Sequence, residues 1–319
     1  QHTFSGPGSY NVTLVTENIS GCTDTLAQTV TVSPAPAVAF TSENTCYGQL
    51  STFTADGAVM DTAAIATWLW DFGDGYTSND PVNAQHLYNV AGSYTAMLTV
   101  TDTAGCTASA TETIGVLPLP MAQFDYTQPA CFGNQVQFDD YSTTEEGYIT
   151  TWIYQFGDGS DTTITHPENP NVGHDYATPG DYEATLTVTT STGCEAAITH
   201  TVTVEPTPEV NFAFSQGCQG TAVQFEDLTQ EAGSGDILSW SWDFGDPLSG
   251  ANNTSSGQDP QHTYSEAGDY TVTLIVATAN GCSDSLSQIV GVSPAPGVGF
   301  DYSAGCLGDT TQFTSSTVV

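Results

Sequence analysis

Eight cysteines and a recurring set of carboxylates and histidines are the groups in this sequence with chemistry to offer. Cys22, Cys106, Cys194 and Cys282 each follow a Gly and are spaced by 84, 88 and 88 residues. Cys46, Cys131, Cys218 and Cys306 form a second series, spaced by 85, 87 and 88. Eight thiols at such regular spacing point to disulfides in an oxidising, extracellular compartment. Asp71 with Asp74, and Asp243 with Asp246, bracket Phe-Gly turns. These pairs are candidate oxygen ligands for calcium, the single candidate cofactor. Calcium takes six or more converging oxygens, however, and the sequence shows only pairs. The other use of Asp74 or Asp158 is to cap the N–H groups of a tight turn whose glycines supply positive φ. His2, His86, His174 and His262 recur at one position in successive repeats, which marks a structural role, while His166 and His200 stand alone. No His-x-x-x-His spacing occurs, and no Ser or Cys nucleophile has a partner independent of the repeat. A catalytic site is rarely copied at every period of an array. The pattern speaks against an enzyme.

The elements that must position these groups are constrained by composition. The chain has 319 residues, 36 of them Asp or Glu, and no Lys or Arg, for a formal charge of −36. Without cations it cannot displace counterions from nucleic-acid phosphates or dock on an anionic membrane by a polybasic patch. Lysine Schiff bases, P-loop lysines, arginine fingers and lysine isopeptide cross-links are excluded as well. With 39% hydrophobic and 10% aromatic residues, the chain can build cores and is no disordered acidic tail. No apolar run reaches the ~18 residues of a membrane span. Gln1 opens in mid-pattern, so the expectation is a segment cut from a longer precursor.

Repetition sets the organisation. Tyr10, Tyr94, Tyr182 and Tyr270 keep intervals of 84, 88 and 88 residues, and Pro-x-Pro recurs at Pro34/Pro36, Pro118/Pro120, Pro206/Pro208 and Pro294/Pro296 as short, stiff linkers. Three complete units are expected at 35–118, 119–206 and 207–294. The rear of a unit (1–34) precedes them and the front of another (295–319) follows. A period this long makes each unit a domain with its own core. Tyr94-Thr-Ala-Met-Leu-Thr-Val100 and Tyr270-Thr-Val-Thr-Leu-Ile-Val276 alternate with period two, and Asp102-Thr-Ala-Gly105 and Thr278-Ala-Asn-Gly281 supply hairpin turns. About seven strands per unit, with no helical periodicity, predict an all-β sandwich.

Trp68-Leu-Trp-Asp-Phe-Gly-Asp-Gly75, Pro81, His86-x-Tyr88 and Gly92-x-Tyr94 together resemble the PKD domain, an immunoglobulin-like β-sandwich. Trp240-Ser-Trp-Asp-Phe-Gly-Asp246, Pro260, His262-x-Tyr264 and Gly268-x-Tyr270 repeat the pattern. The middle unit departs from it, with Tyr154 and Gln155 in place of Trp and Asp. The resemblance covers essentially the whole chain and implies tandem sandwiches arranged head to tail. The added Cys-x-Gly and Gly-Cys resemble the PKD arrays of large Bacteroidota surface proteins, which type IX secretion commonly exports and which include gliding and adhesion filaments. Two-residue alternation puts Trp68, Trp70 and Phe72 on one strand face. That face is either a core wall or a platform for stacking sugars. Tyr94, Tyr182 and Tyr270 resemble tyrosine corners, each tying a loop to the core.

In an immunoglobulin-like sandwich the first strand descends from the N-terminal pole, which places Cys46 at the lower turn. Cys106 follows the last hairpin turn and belongs at the upper pole. The poles lie roughly 20–30 Å apart, whereas disulfide Cα atoms lie within ~7 Å. In a head-to-tail chain the lower pole of one unit abuts the upper pole of the next, which pairs Cys46 with Cys194 and Cys131 with Cys282. Cys22, Cys106, Cys218 and Cys306 then take partners in repeats outside this window. The alternative is intra-domain pairing (46–106, 131–194, 218–282). Asp-Ser/Thr steps resembling the O-glycosylation signal of Bacteroidota occur at Thr25, Thr62, Thr103, Thr162, Ser285 and Thr310. The expected function is a structural repeat segment of a long extracellular filament or adhesin stalk at the cell surface. Its partners would be neighbouring repeats of the same chain and other copies in a bundle. The alternatives are a polysaccharide-binding array and an accessory segment of a secreted hydrolase.

Overall fold

The computed structural model describes residues 1–56, 65–81, 83–230 and 236–316. Each of the three central units is a pair of facing β-sheets, and the middle unit serves as the example. Its smaller sheet has the order Phe124–Tyr126, Val136–Asp140, Val172–His174. Its larger sheet runs Ala130–Cys131, Glu195–Glu205, Gly180–Thr190, Ile149–Gln155, Asp161–Thr165. Neighbours are antiparallel except at one edge, where Ala130–Cys131 lies parallel to the last strand, with Ala130 opposite Val204 and Cys131 opposite Glu205. The first strand of the unit thus starts in one sheet and, a few residues later, continues in the other. The same parallel pairing sets Cys46 opposite Leu117 and Cys218 opposite Ser293.

Period-two alternation is what makes these strands. Along Gly180–Thr190, Ala184, Leu186, Val188 and Thr190 point inward and are buried, and the residues between them are more exposed. The apolar side chains gather in three separate cores, one per unit, around Phe53 and Trp70, around Phe138 and Tyr154, and around Phe225 and Trp242. Each core is closed within its own unit, as a domain requires. Each unit has eight strands among the described residues. The eighth is the two-residue strand carrying the first cysteine. The third unit also inserts a short 3₁₀ segment, Pro247–Asn253, where the other two make a tight glycine turn. At the ends, Gly8–Glu17 pairs with Thr23–Val32, and Phe300–Tyr302 with Phe313–Ser315.

Candidate functional site: the motif cluster and the bonded junctions

The motif residues converge in each unit on one cluster. His86, His174 and His262 lie flat on Phe72, Phe156 and Phe244, with ring centroids 4.3, 4.0 and 4.5 Å apart. Each Nε2–H donates to the second Asp of the turn, at 2.6 Å to Asp74, 2.7 Å to Asp158 and 3.1 Å to Asp246. The buried hydroxyls of Tyr88, Tyr176 and Tyr264 donate to the carbonyls of Phe72, Phe156 and Phe244. Burial, reinforced by the nearby Asp charge, pushes all three hydroxyls well above the ordinary phenol range, so they remain donors. Tyr94, Tyr182 and Tyr270 pack against those rings and donate to the carbonyl four residues earlier, at 2.7–3.0 Å. This is tyrosine-corner geometry, and Tyr10 repeats it with Gly6 at 2.8 Å.

The turn that carries the Asp has a steric reason for its glycine. Gly157 has φ +87°, and a Cβ there would stand 2.7 Å from the amide nitrogen of Glu183 on the neighbouring strand. Asp158 is drawn upward by burial, but the Ser160 hydroxyl and N–H and the His174 imidazole outweigh this and hold it down to about 2.

The candidate calcium ligands are engaged in local hydrogen bonds. Asp74 gives one oxygen to the Tyr76 N–H and the other to His86, and Asp71 accepts from the Gly73 N–H. Asp243 accepts from the Gly245 N–H and from the Asn253 amide, while Asp246 faces His262. Asp71 and Asp243 thus serve turn N–H groups, and Asp74 and Asp246 face the histidines. Among the described residues, no group of three or more His, Cys, Asp or Glu is placed to hold a metal ion. The sugar-platform alternative meets a similar obstacle. Trp70 and Trp242 are fully buried, Phe72, Phe156 and Phe244 nearly so, and Trp68 is 7% exposed. The aromatic series is a core wall.

The cysteines mark the junctions. Cys46 is bonded to Cys194 and Cys131 to Cys282, each with Cα atoms 5.6 Å apart. Both bonds join the lower end of one unit to the upper end of the next. The strand register explains why the intra-domain alternative is not what forms. Cys131 lies beside Glu205, where the last strand ends, whereas Cys194 immediately precedes its start at Glu195. Eleven residues of strand put those two cysteines roughly 35 Å apart. Cys22, Cys106, Cys218 and Cys306 are free within this chain, Cys106 and Cys218 half-buried and the other two exposed.

Other contacts support the junctions. Asn280 reaches across the second one to donate to Glu205 at 2.6 Å, and Gly281 lies against Pro129. With no Lys or Arg in the chain, carboxylates turn to amides, hydroxyls and indoles. Trp152 Nε1 donates to Asp140 at 2.8 Å and Trp240 Nε1 to Asp227 at 2.7 Å. Neither Asp belongs to the recurring Trp-x-Trp motif, although both end the second strand of their sheet and recur in register. Of the glycosylation candidates, Thr25, Thr103, Ser285 and Thr310 are exposed, Thr162 is half-buried, and Thr62 lies outside the described residues.

Facing sheets, a strand that changes sheets and tyrosine corners define an array of immunoglobulin-like β-sandwiches. The chain belongs to the PKD domain family, whose sequence profile matches residues 31–116, 118–206 and 203–293. It is 36% identical over 93 residues to a microbial collagenase of Vibrio alginolyticus, a match spanning 29% of this chain and 11% of that protein. It is 25% identical over 287 residues to human polycystin-1, spanning 87% of this chain and 6% of that one. Among solved structures, the PKD1 domain of the Vibrio cholerae metalloprotease PrtV is 31% identical. That alignment covers 27% of this chain and 98% of that domain, with a TM-score of 0.24. The chain thus spans a small part of the curated relatives it matches.

Proposed function

We propose that this chain is a structural segment of a long extracellular filament or adhesin stalk, in which tandem PKD domains are riveted end to end. The observation that carries the reading is the pair of disulfides, both placed across junctions between successive units. A bond inside a domain would stabilise that domain alone, whereas a bond between domains fixes their relative direction, which is what a projecting stalk needs. The motif residues support the same reading, since the His–Asp pairs, the corner tyrosines and the tryptophans all serve the fold. The proposal assigns no reaction to the chain. The alternating Cys-x-Gly and Gly-Cys signals extend it to a Bacteroidota-type cell-surface filament. Sugar attachment at the exposed Thr25, Thr103, Ser285 and Thr310 belongs to the same picture.

The test is electron microscopy of the 319-residue chain, oxidised and reduced. A straight beaded rod that bends sharply once reduced is the expected result, and a compact or freely jointed particle under oxidising conditions overturns the proposal. A glycan array on the same protein separates it from a polysaccharide-binding array: saturable binding would replace the stalk reading. The collagenase identity favours a second reading, an accessory segment beside a secreted hydrolase. That reading requires a catalytic module in the native polypeptide, detectable by peptide mapping of the protein purified from its source.

A further inference from the structure

The two disulfides do more than orient neighbours, because of how they divide the chain. Cys46–Cys194 and Cys131–Cys282 span 148 and 151 residues, and their spans overlap. The middle unit lies between the two bonds. From the first bond to the second, the polypeptide runs by three separate routes: 46 to 131, 131 to 194, and 194 to 282. The bonds sit at opposite poles of that unit, since Cys194 opens its last strand and Cys131 lies beside that strand's end.

We infer that the bonded junctions act as a redundant covalent tether, which caps how far the chain lengthens under tension even when every domain unfolds. The inference rests on connectivity alone and holds for a stalk or an accessory segment alike. The shortest covalent route from residue 1 to residue 319 enters along the chain to Cys46 and crosses to Cys194. It returns to Cys131, crosses to Cys282 and leaves along the last stretch. That route contains about 145 residues, or ~510 Å fully extended at ~3.5 Å per residue, against ~1,110 Å for the open chain of about 318 steps.

Redundancy follows from the overlap. Without the first bond the shortest route runs through Cys131–Cys282 and grows to about 167 residues, only ~80 Å longer. Without the second it runs through Cys46–Cys194 and grows to about 170 residues, ~90 Å longer. Loss of both adds ~600 Å. Either bond alone therefore supplies most of the limit. Two bonds each confined to one domain would behave additively.

Single-molecule pulling of the whole chain by its termini tests this. The oxidised protein should stop at ~510 Å and the phosphine-reduced protein at ~1,110 Å. The paired substitutions Cys46→Ser with Cys194→Ser, and Cys131→Ser with Cys282→Ser, should each add under ~100 Å. An oxidised chain that reaches the full open length overturns the inference. So does a first-pair variant that lengthens by ~200 Å or more, the value that a Cys46–Cys106 loop would release. Because the readout is the length of the unfolded chain, a variant of reduced domain stability still gives an answer. Reduction of the unmutated protein on the instrument provides the same comparison without any substitution.

Discussion

Replacing Gly157 with Ala tests the steric argument for the motif turn, and Gly159 serves as its control. Both residues have positive φ, +87° and +93°. An added methyl at Gly157 would meet the Glu183 amide nitrogen at 2.7 Å and its carbonyl oxygen at 2.8 Å, while at Gly159 nothing lies within 4 Å. The left-handed backbone costs an L-residue about 1–2 kcal/mol at either site. At Gly157 the strand Gly180–Thr190, central to the larger sheet, must also shift, an overpacking cost of about 1–3 kcal/mol. The expected losses are therefore about 2–5 kcal/mol for Gly157→Ala and about 1–2 kcal/mol for Gly159→Ala. Because three units unfold in one chain, a global transition is not a two-state measurement. Hydrogen exchange of strand Gly180–Thr190, read by mass spectrometry, isolates the middle unit. Equal losses for the two variants would show that the clash is absent and that backbone conformation alone selects the glycine.

Four further outcomes are expected in the middle unit. Tyr154 is buried and its hydroxyl has no hydrogen-bond partner among the described residues. Tyr154→Phe should therefore leave stability unchanged or raise it, whereas Tyr176→Phe, which deprives the Phe156 carbonyl of its donor, should cost about 1–3 kcal/mol by the same exchange measurement. Tyr182→Phe removes the corner bond to Thr178 and should cost about 1 kcal/mol, with faster exchange at the start of its strand. Asp158 should titrate near 2 by carboxyl-carbon NMR, and His174→Phe should move that midpoint up toward 3.8. Since the folded-state value is depressed, this carboxylate's contribution to stability is complete above 3.8 and is lost as the pH falls through about 2.

Much of this arrangement can be read from the sequence because its signals are periodic. Alternating residues such as Ala184, Leu186 and Val188 announce a strand, and recurrence of the pattern near 88 residues announces the domains. Strand length alone separates the poles, and that separation directs Cys46 and Cys131 to the next unit. What escapes the sequence has no period of its own. Ala130–Cys131 is too short to alternate, and only its parallel register beside Val204 and Glu205 reveals it as a strand. The 3₁₀ segment Pro247–Asn253 is an insertion present in one unit only. Asp140 and Trp152, or Asn280 and Glu205, meet through tertiary placement that no local spacing encodes. The Asp pairs read as candidate ligands in the sequence, and their hydrogen bonds to turn amides and to His86 or His262 come into view only in the fold.

The long sequence separation of the bonded cysteines also sets an order of events in time. Cys46 emerges well before Cys194, and two other cysteines, Cys106 and Cys131, appear between them. A thiol left accessible through that interval would meet the wrong partner first. In the closed first sandwich Cys46 lies beside Leu117, at the end of the last strand, and Cys106 just before its start, which keeps that wrong pair apart. A bond across a junction, with its Cα atoms 5.6 Å apart, fits two units that both carry their native ends.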